Sequence, residues 1–444
     1  MDAHIRRITI AASVALEDAG EATRCLEIMD SVRASAPPGM RMRAVFFTHG
    51  SKFDSMVRES GYELMSVEPR LPGEGSLGDL KPTSFNFVGS RALAADMIRG
   101  ELAALRALQP DYVLHGFWPF ASIARRMVTP EIPGIRFLPL PLSPEAFSAH
   151  LLTDVPDQIV PLTLLSATTR RRIARAIPGP LLMRMPIYRQ KNLARAAADC
   201  GWDGEKLANL FDMLEADLTL VNDFSGFYEG MRLPRNFVIT GAVYAGPRSG
   251  ETVDPAIEWV FRRNRPDQVN LFCSLGSSAT REYLIEAARA IAALPQDRFR
   301  AVILSPRAVC PVKEILAIVG RMENIHVTDR FVPATLVSAL ADITVSHGGQ
   351  GTVQTALISG TPIVGFAMQP EQQINLDHAA LRGAAIRIPK FRWNRRSVGD
   401  AILTVASEPS YRENAARLGR MMVLEDGRKK SAEAVWAYIL GRRT

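Results

Sequence analysis

The chain has 444 residues, 47% of them hydrophobic and 22% charged, so it is long enough for two or three domains that each bury a core. Its net charge of +7 is spread along the sequence without an aromatic-interleaved basic stripe, a zinc motif or a recognition helix, which excludes a nucleic-acid partner. Four cysteines without C-x-x-C spacing, no basic-then-apolar leader and no apolar run of about 18 residues predict a soluble cytoplasmic protein with free thiols.

The first part of the chain alternates short apolar runs with stretches of helical spacing. Strands are predicted at Ile8–Ala12, Arg43–Thr48, Tyr62–Val67, Tyr112–Leu114 and Ile135–Leu138, and helices at Cys25–Val32, Phe53–Ser60, Phe87–Leu108 and Phe120–Val128. The Gly- and Pro-rich stretch Pro69–Pro82 is predicted to be a long loop. This alternation favours a parallel, doubly wound sheet.

The alternation breaks between Pro139 and Gly201, where prolines and arginines are dense. Its basic part, residues 170–195, leaves two interpretations open: a solvated basic face, or a surface that binds a substrate or a membrane. Two further strands are predicted after it, at Asp217–Val221 and Phe237–Thr240.

A second alternation follows Gly246–Pro255, the predicted linker. Strands are expected at Gln268–Cys273, Arg300–Leu304, Ile325–Val327, Ile343–Val345 and Ile386–Ile388, and helices at Thr280–Leu294, Val312–Ile318, Ala334–Leu340 and Val353–Ser359. The predicted fold class is therefore α/β with two doubly wound, Rossmann-like domains, residues 1–246 and 247–425, whose strand ends face a central cleft. A C-terminal helix, 426–444, is expected to pack back on the first domain.

One turn in the second half has a composition suited to anions. The β-branched run Ile343–Val345 is followed directly by His347–Thr352, which reads HGGQGT, and then by a helix. A helix start presents backbone N–H groups and a positive dipole end, and three glycines in four positions let a phosphate approach the backbone. We therefore expect this turn to hold the diphosphate of a nucleotide-sugar.

Three motifs occur in one order and spacing: Phe331-Val332-Pro333, His347-Gly348-Gly349-x-Gly351-Thr352, and Glu371-Gln372-x-x-Asn375. Together they resemble the donor half of GT-B glycosyltransferases, in particular the UDP-glycosyltransferase-like group that includes bacterial antibiotic and flavonoid glycosyltransferases. The resemblance covers about residues 265–390 strongly, and it is weaker in Gln109–Val113 and Pro234–Pro247. It implies a GT-B fold and a hexosyltransferase.

The resemblance also implies a donor site. Its diphosphate contacts would be Ser277, His347, Gly348, Gly349, Gly351 and Thr352, its base contacts Phe331 and Val332, and its sugar contacts Glu371 and Gln372. Purely structural interpretations of these residues also remain open: residue 277 as a turn serine, residue 331 as a core phenylalanine, and residues 371–372 as a surface loop. Where many UDP-sugar users carry a glutamate for the ribose hydroxyls, this chain has Thr355, which leaves UDP and dTDP both open.

The acceptor side departs from the family pattern. A Gly-His pair usually follows the first strand, and its histidine deprotonates the acceptor; here Gly20-Glu21 aligns with it. Glu21 is therefore the first candidate base, with a helix N-terminal charge partner as its structural alternative. Asp18 in the same loop and His115 at a strand end are further candidates, as is His49. The aspartate that often orients the histidine would fall near Gly116 and is absent.

These features predict an inverting glycosyltransferase that needs neither metal nor cofactor and moves a hexose-type sugar from a UDP- or dTDP-sugar. The acceptor would be a hydroxyl or similar nucleophile of a small or lipidic molecule, and the basic 170–195 region could contact a membrane surface. Two alternatives stay open: a nucleotide-sugar epimerase or hydrolase on the same fold, and an inactive glycosyltransferase-like partner protein. A Rossmann oxidoreductase is disfavoured because Gly349-Gln350-Gly351 lacks the third glycine. The sugar, the acceptor and the oligomeric state are not specified by these patterns.

Overall fold

The structure of the protein is a computed structural model, and its chain divides into two units. The described residues are 5–16, 19–51, 53–83, 86–148, 151–157, 159–178, 181, 186–244, 246, 251–276, 279–320 and 322–441. Unit 1 comprises Met1–His150, Ile177–Val243 and Glu425–Thr444, and unit 2 comprises Leu151–Ala176 and Tyr244–Leu424. No helix within the described residues is both long and apolar enough to cross a membrane.

Unit 1 is built on a parallel sheet. Its strands are β1 (Arg6–Ser13), β2 (Met40–Thr48), β3 (Glu63–Ser66), β4 (Tyr112–His115), β5 (Gly134–Leu138), β6 (Leu218–Val221) and β7 (Phe237–Ile239), in the order β3-β2-β1-β4-β5-β6-β7. Its helices are Ala19–Ala34, Asp54–Glu59, Ser76–Leu80, Arg91–Leu108, Pro119–Arg126, Pro144–Ser148, Pro186–Arg189, Lys191–Asp199, Leu210–Met213 and Gly427–Ile439, with a 3-10 turn at Ser225–Phe227.

Both faces of this sheet are buried, which is why its strands read as nearly continuous apolar runs. Along β1, Ile8 and Ile10 pack into a core shared with helices Ala19–Ala34 and Gly427–Ile439. Ala11, the residue after Ile10, points to the opposite face and packs there with helix Arg91–Leu108. Because both faces are covered, only the ends of the strands remain available for a binding site.

Unit 2 has a second parallel sheet. Its strands are β8 (Val269–Ser274), β9 (Phe299–Leu304), β10 (Ile325–Thr328), β11 (Ile343–Ser346), β12 (Ile363–Gly365) and β13 (Ala385–Arg387), in the order β10-β9-β8-β11-β12-β13. Its helices are Val160–Thr163, Ala167–Ala176, Pro255–Phe261, Arg281–Ala292, Val312–Val319, Ala334–Leu340, Gln350–Ile358, Pro370–Leu381, Arg395–Ser407 and Pro409–Val423, with a 3-10 turn at Lys390–Arg392. The chain order reverses between β8 and β11, and ligands of such sheets bind at this switch point.

The prediction of two doubly wound, Rossmann-like parallel-sheet domains is confirmed. Two local expectations need correction: β12 is a strand where none was predicted, and the expected loop Pro69–Pro82 contains the short helix Ser76–Leu80. The segment Leu151–Ala176 lies in unit 2, although it falls within the range 1–246 expected for the first domain.

A buried ion cluster holds this segment in unit 2. Arg387, with its side chain only 4% exposed, donates to Asp154 (2.8 Å), Asp157 (2.6 Å) and Asp377 (2.6 Å). Arg170 adds a second guanidinium on Asp154 at 3.0 Å. Burial lowers the pKa of Arg387 but the three carboxylates outweigh it and raise that pKa above its usual value, while burial raises the pKa of Asp377. Charge pairing between residues more than 200 positions apart therefore fixes which unit this segment joins.

Candidate functional site

The switch point of unit 2 carries the turn that the sequence singled out. Strand β11 ends at Ser346, and His347, Gly348 and Gly349 lead into the helix Gln350–Ile358. Gly348 adopts a left-handed φ of +82°, and its N–H donates to the Ser346 hydroxyl at 3.1 Å. The strand end, the reversal and the helix start are thus set within four residues. The backbone N–H groups of the first helical turn have no intrahelical acceptor, which makes this helix start an anion-binding position.

The imidazole of His347 is clamped between two glycines. A Cβ added at Gly276, which follows β8, would lie 2.5 Å from His347 Cε1, and a Cβ at Gly349 would lie 2.7 Å from the same atom. Glycine at both positions therefore makes room for the ring. The side chain is 6% exposed, and its Nδ1 has no hydrogen-bond partner among the described residues. Burial lowers the pKa of His347 to about 4, so the imidazole is neutral at physiological pH.

Gly351 differs from the other glycines of the turn. No heavy atom lies within 4 Å of a Cβ built there, and its φ is not in the left-handed region. In contrast, a Cβ at Gly348 would lie 2.6 Å from the Gln372 carbonyl oxygen. Glycine in a helix costs about 0.5–1 kcal/mol relative to alanine, so the fold itself gives no reason for Gly351. Close approach of a ligand to the helix start does give one.

The helix Pro370–Leu381 packs beside this turn. Asn375 Nδ2 donates to the Gly348 carbonyl at 3.0 Å and to Glu371 Oε1 at 2.8 Å, so it ties the Glu371 carboxylate to the glycine turn. Gln372 Oε1 accepts from the N–H groups of Met368 (2.9 Å) and Gln369 (3.3 Å), which caps the helix start. Glu371 is therefore oriented toward the turn, whereas Gln372 already has a structural role.

Phe331 and Val332, the expected base contacts, lie in very different surroundings. Phe331 follows β10 and is 87% exposed, so the core interpretation of this phenylalanine is wrong. Val332 is buried and packs with Val302 and Val337 in a core cluster of unit 2. An aromatic face at a strand end can stack on a base, but the Val332 side chain cannot, which leaves its backbone for any hydrogen bond.

The other residues predicted for the donor site lie in or near the helix Gln350–Ile358 or outside the described residues. Thr355 is buried in the second turn of the helix Gln350–Ile358. Thr352 lies in the first turn of the same helix, next to Gly351. Ser277, an expected phosphate contact, lies outside the described residues, as does Asp18 on the acceptor side. His347, Gly349 and Gly276 are brought together by direct contact, and Glu371 joins them through Asn375.

On the acceptor side, Glu21 and Gly116 form one structural feature. Glu21 is in the first turn of the helix Ala19–Ala34, and its Oε1 accepts the Ala15 N–H at 3.1 Å. A Cβ at Gly116 would lie 2.2 Å from that same oxygen. The glycine at 116 therefore makes room for the carboxylate at 21. The two departures from the family pattern, Glu21 in place of the histidine and Gly116 in place of the aspartate, are therefore linked.

His115 is enclosed in the core of unit 1. It is fully buried, its Nδ1 lies 3.0 Å from the Gly116 carbonyl, and its Nε2 has no partner among the described residues. Burial lowers the pKa of His115 well below its usual value. A ring without solvent exposure cannot reach an acceptor hydroxyl in this arrangement, so the geometry favours Glu21 over His115.

Sequence reasoning missed the buried carboxylate of Glu101. Its Oε1 accepts from Ser13 Oγ (2.6 Å) and Trp118 Nε1 (3.0 Å) and lies 3.3 Å from His49 Nε2. His49 Nδ1 lies 3.1 Å from the Pro69 carbonyl, so both of its ring nitrogens are engaged. The sequence signal that could have identified it is the position of Glu101 on the apolar stripe of the helix Arg91–Leu108.

The described part of the chain contains no candidate metal site made of side chains. Within those residues, no group of three or more His, Cys, Asp or Glu side chains is arranged to hold a metal ion.

Comparison with known proteins places this site in context. Residues 316–432 match the family model described as "Erythromycin biosynthesis protein CIII-like, C-terminal domain". That range contains Phe331, the His347–Thr352 turn and Glu371. A "PGL/p-HBAD biosynthesis rhamnosyltransferase" of Mycobacterium bovis (strain BCG / Pasteur 1173P2) is 26% identical over 356 residues, 78% of this chain and 71% of the relative.

Solved structures share the fold over nearly the whole chain. The glycosyltransferase of kitacinnamycin superposes with a TM-score of 0.67 at 21% identity, covering 97% of this chain and 99% of that one. Spinosyn rhamnosyltransferase SpnG, solved in complex with thymidine diphosphate, superposes with a TM-score of 0.59 at 15% identity, covering 98% and 100%. The same rhamnosyltransferase has also been solved with spinosyn aglycone.

Proposed function

We propose, on the premise that this chain is a GT-B glycosyltransferase of the UDP-glycosyltransferase-like family, that it transfers a hexose-type sugar from a UDP- or dTDP-sugar to an acceptor hydroxyl with inversion. The acceptor is a small or lipidic molecule, and the reaction requires no metal ion. The observation that carries this proposal is the turn His347–Thr352 at the switch point of unit 2.

This turn provides what a departing nucleoside diphosphate needs. The start of the helix Gln350–Ile358 offers backbone N–H groups and a positive dipole end, and Gly351 leaves space beside them. His347, neutral because burial lowers its pKa to about 4, offers a hydrogen bond rather than a charge. Such preorganised donors stabilise charge that develops on a leaving group, and they can take the place of a cation.

Thr355 supports a dTDP-sugar as the first donor to test. Its side chain is short and buried, and the resemblance aligns it with the position where many UDP-sugar users carry a glutamate for the ribose hydroxyls. A dTDP nucleoside lacks the 2′-hydroxyl that such a glutamate would bind. Thymidine diphosphate is present in one structural neighbour, and a rhamnosyltransferase is among the relatives. A deoxyhexose such as rhamnose is therefore the first sugar to test.

Glu21 is the proposed base. In an inverting displacement the acceptor oxygen attacks the anomeric carbon, the bond from that carbon to the diphosphate oxygen breaks, and the acceptor proton passes to the base. Glu21 lies just beyond the carboxyl end of β1, and Gly116 makes room for its carboxylate. The carboxylate therefore takes the place of the family's acceptor-side histidine.

The acceptor class follows from the neighbours by analogy. One neighbour has been solved with spinosyn aglycone, and one relative is named for PGL/p-HBAD biosynthesis. We propose a hydroxyl on an apolar natural product or lipid as the nucleophile.

The test has two stages. Thermal-shift screening with UDP, dTDP, GDP and ADP identifies the nucleotide, because a ligand that binds the folded state raises its stability. Radiolabelled UDP- and dTDP-sugars are then incubated with and without hydroxylated aglycones, and with and without EDTA. Transfer with inverted anomeric configuration in the presence of EDTA is expected. Turnover of the nucleotide-sugar without acceptor would instead assign a hydrolase or epimerase, and loss of transfer in EDTA would refute metal independence.

A double-mutant cycle tests the base. Glu21→Ala is expected to lower kcat at least about 100-fold while nucleotide affinity stays unchanged, because the donor residues lie in unit 2. Gly116→Ala is expected to reduce kcat in the wild type, since its methyl group would displace the carboxylate, and to cost little more once Glu21 is alanine. Independent effects of the two substitutions, or normal transfer by Glu21→Ala, would remove Glu21 from this role.

A further inference from the structure

The segment 160–176 of unit 2 exposes apolar side chains close in sequence to arginines, and we call its exposed residues the 160–176 surface. Val160 is 44% exposed, Leu164 60% and Leu165 39%. Arg172 and Arg175 on the adjoining helix Ala167–Ala176 are exposed, and Arg171 is half-buried. Segment 160–176 contains four arginines and no acidic residue.

The buried ion cluster fixes the orientation of this surface. Arg170, the fourth arginine, turns inward to Asp154 at 3.0 Å, and Asp154 also binds Arg387. Thr163 and Ala174 are buried on the same inward side. With that side held, the leucines and the other three arginines are left on the outward side. The apolar side chains of segment 160–176 are therefore exposed even though the segment is held on unit 2.

A solvated basic face does not account for this composition. Arginines alone would be well hydrated, but exposing Leu164, Leu165 and Val160 together carries a hydrophobic cost that soluble surfaces usually avoid. Nucleic acid does not account for it either, because the segment has no aromatic residue to stack on bases and its leucines would face phosphates. Apolar side chains flanked by arginines are what a protein presents to the headgroup region of an anionic bilayer.

We infer that the 160–176 surface docks unit 2 on an anionic lipid bilayer, with its leucines entering the headgroup boundary and its arginines contacting lipid phosphates. This goes beyond the proposed transfer reaction and does not depend on it, because binding to vesicles needs neither donor nor acceptor. It places the enzyme where an apolar acceptor would be concentrated.

The test measures partitioning of the full-length protein onto vesicles of phosphatidylglycerol and phosphatidylcholine, and onto phosphatidylcholine alone, by co-sedimentation. Two adjacent pairs are changed, Leu164→Ser with Leu165→Ser and Arg171→Gln with Arg172→Gln. The matched controls on unit 2 are Val423→Ser with Leu424→Ser, both more than half exposed, and the exposed pair Arg395→Gln with Arg396→Gln.

The wild type is expected to bind the anionic vesicles and to lose most binding in 0.5 M salt, because screening shortens the reach of the arginines. The arginine pair should weaken partitioning roughly 20-fold and the leucine pair at least about ten-fold, while both control pairs bind as the wild type does. Equal binding to neutral vesicles, an equal loss in the controls, or no vesicle binding would overturn the proposal. If the leucine and arginine variants bound vesicles as the wild type does but lost transfer to a soluble acceptor, the surface would be assigned to acceptor binding instead.

Discussion

At the scale of single residues, the glycines in and beside the His347–Thr352 turn differ in what they are needed for. Gly276 and Gly349 make room for the His347 ring, and Gly348 combines a left-handed φ with close packing on the helix Pro370–Leu381. Gly351 has neither constraint. Its side-chain direction is open space at a helix start, which is where a diphosphate would have to approach. Stability and function can therefore be separated experimentally at this one position.

Gly351→Ala should leave the protein as stable as the wild type or raise its free energy of unfolding by up to about 1 kcal/mol, because alanine is the better helix former. The same methyl group should weaken nucleotide affinity at least about ten-fold by blocking approach to the backbone. Calorimetric titration and urea denaturation check the two effects. Gly399→Ala is the control: it also has nothing within 4 Å, in the helix Arg395–Ser407, and should leave nucleotide affinity unchanged. Unchanged affinity in Gly351→Ala would contradict the diphosphate assignment.

The pKa of His347 gives a stability prediction. Folding lowers that pKa from its usual 6.5 to about 4, so between these values the unfolded chain binds more protons than the folded one. Stability contributed by this group is therefore lost as pH falls below 6.5, by about 2 kcal/mol between pH 7 and pH 5. In His347→Gln, the drop in urea-denaturation free energy between these pH values should be smaller by that amount. Identical pH dependence in both proteins would show that the ring is not buried as a neutral group.

The residues predicted from sequence were those whose signal is local. His347–Thr352 could be identified because a β-branched strand, a glycine turn and a helix start are contiguous. The exposure of Phe331 and the burial of Val332 could not, because neighbours in a loop share a local pattern and only the packing of Val302 and Val337 decides which one is buried. Glu101 was missed because a carboxylate on an apolar stripe is unfavourable until Ser13, Trp118 and His49 supply its partners from elsewhere in the chain.

At the scale of elements, the buried cluster around Arg387 positions the helix that carries Glu371. One guanidinium, that of Arg387 on β13, joins Asp377 on that helix to Asp157 in the segment Leu151–Ala176. Gln373, from the same helix, donates to the Val155 carbonyl at 2.9 Å and accepts the Asp157 N–H at 3.1 Å. The helix is thus fixed by contacts of Gln373 and Asp377 in addition to the cap at its start.

Arg387→Met should destabilise unit 2 by about 3–5 kcal/mol, because removing one partner leaves buried carboxylates without compensation. Thermal and urea unfolding measure it. The control is Arg307→Met, which removes the exposed pair with Asp329 and should leave the midpoint unchanged. Equal effects of the two substitutions would mean that the cluster contributes no more than a surface ion pair.

Elements were predicted best where the apolar period was long and uninterrupted. The short strand β12 was missed because Ile363–Gly365 offers only three residues between a proline and a phenylalanine-containing turn. The helix Ser76–Leu80 was missed because glycines and prolines surround it, and the residue composition there is that of a loop. In both cases the neighbouring structure, and not local propensity, selects the conformation.

At the scale of the whole molecule, each unit has its own core. Clusters around Ile10 and Phe47 belong to unit 1, and a cluster around Val345 belongs to unit 2. The sequence pattern predicted two halves because each repeats strand–helix alternation. It could not place Leu151–Ala176, because the ion cluster that decides the matter joins residues such as Asp154 and Arg387, 233 positions apart.

Separate cores predict separate responses to ligand. Differential scanning calorimetry should show that the preferred nucleotide, at about 100 times its Kd, stabilises one unfolding transition by about 2.7 kcal/mol. For a unit of roughly 200 residues this is a rise of about 5–10 °C. Because His347 and Arg387 both lie in unit 2, the transition raised by the nucleotide should be the one that Arg387→Met lowers. Gly351→Ala should keep both transitions and lose most of the nucleotide shift. If the nucleotide raised one transition and Arg387→Met lowered the other, the donor site would not be in unit 2, and the turn at His347–Thr352 would have to be given another role.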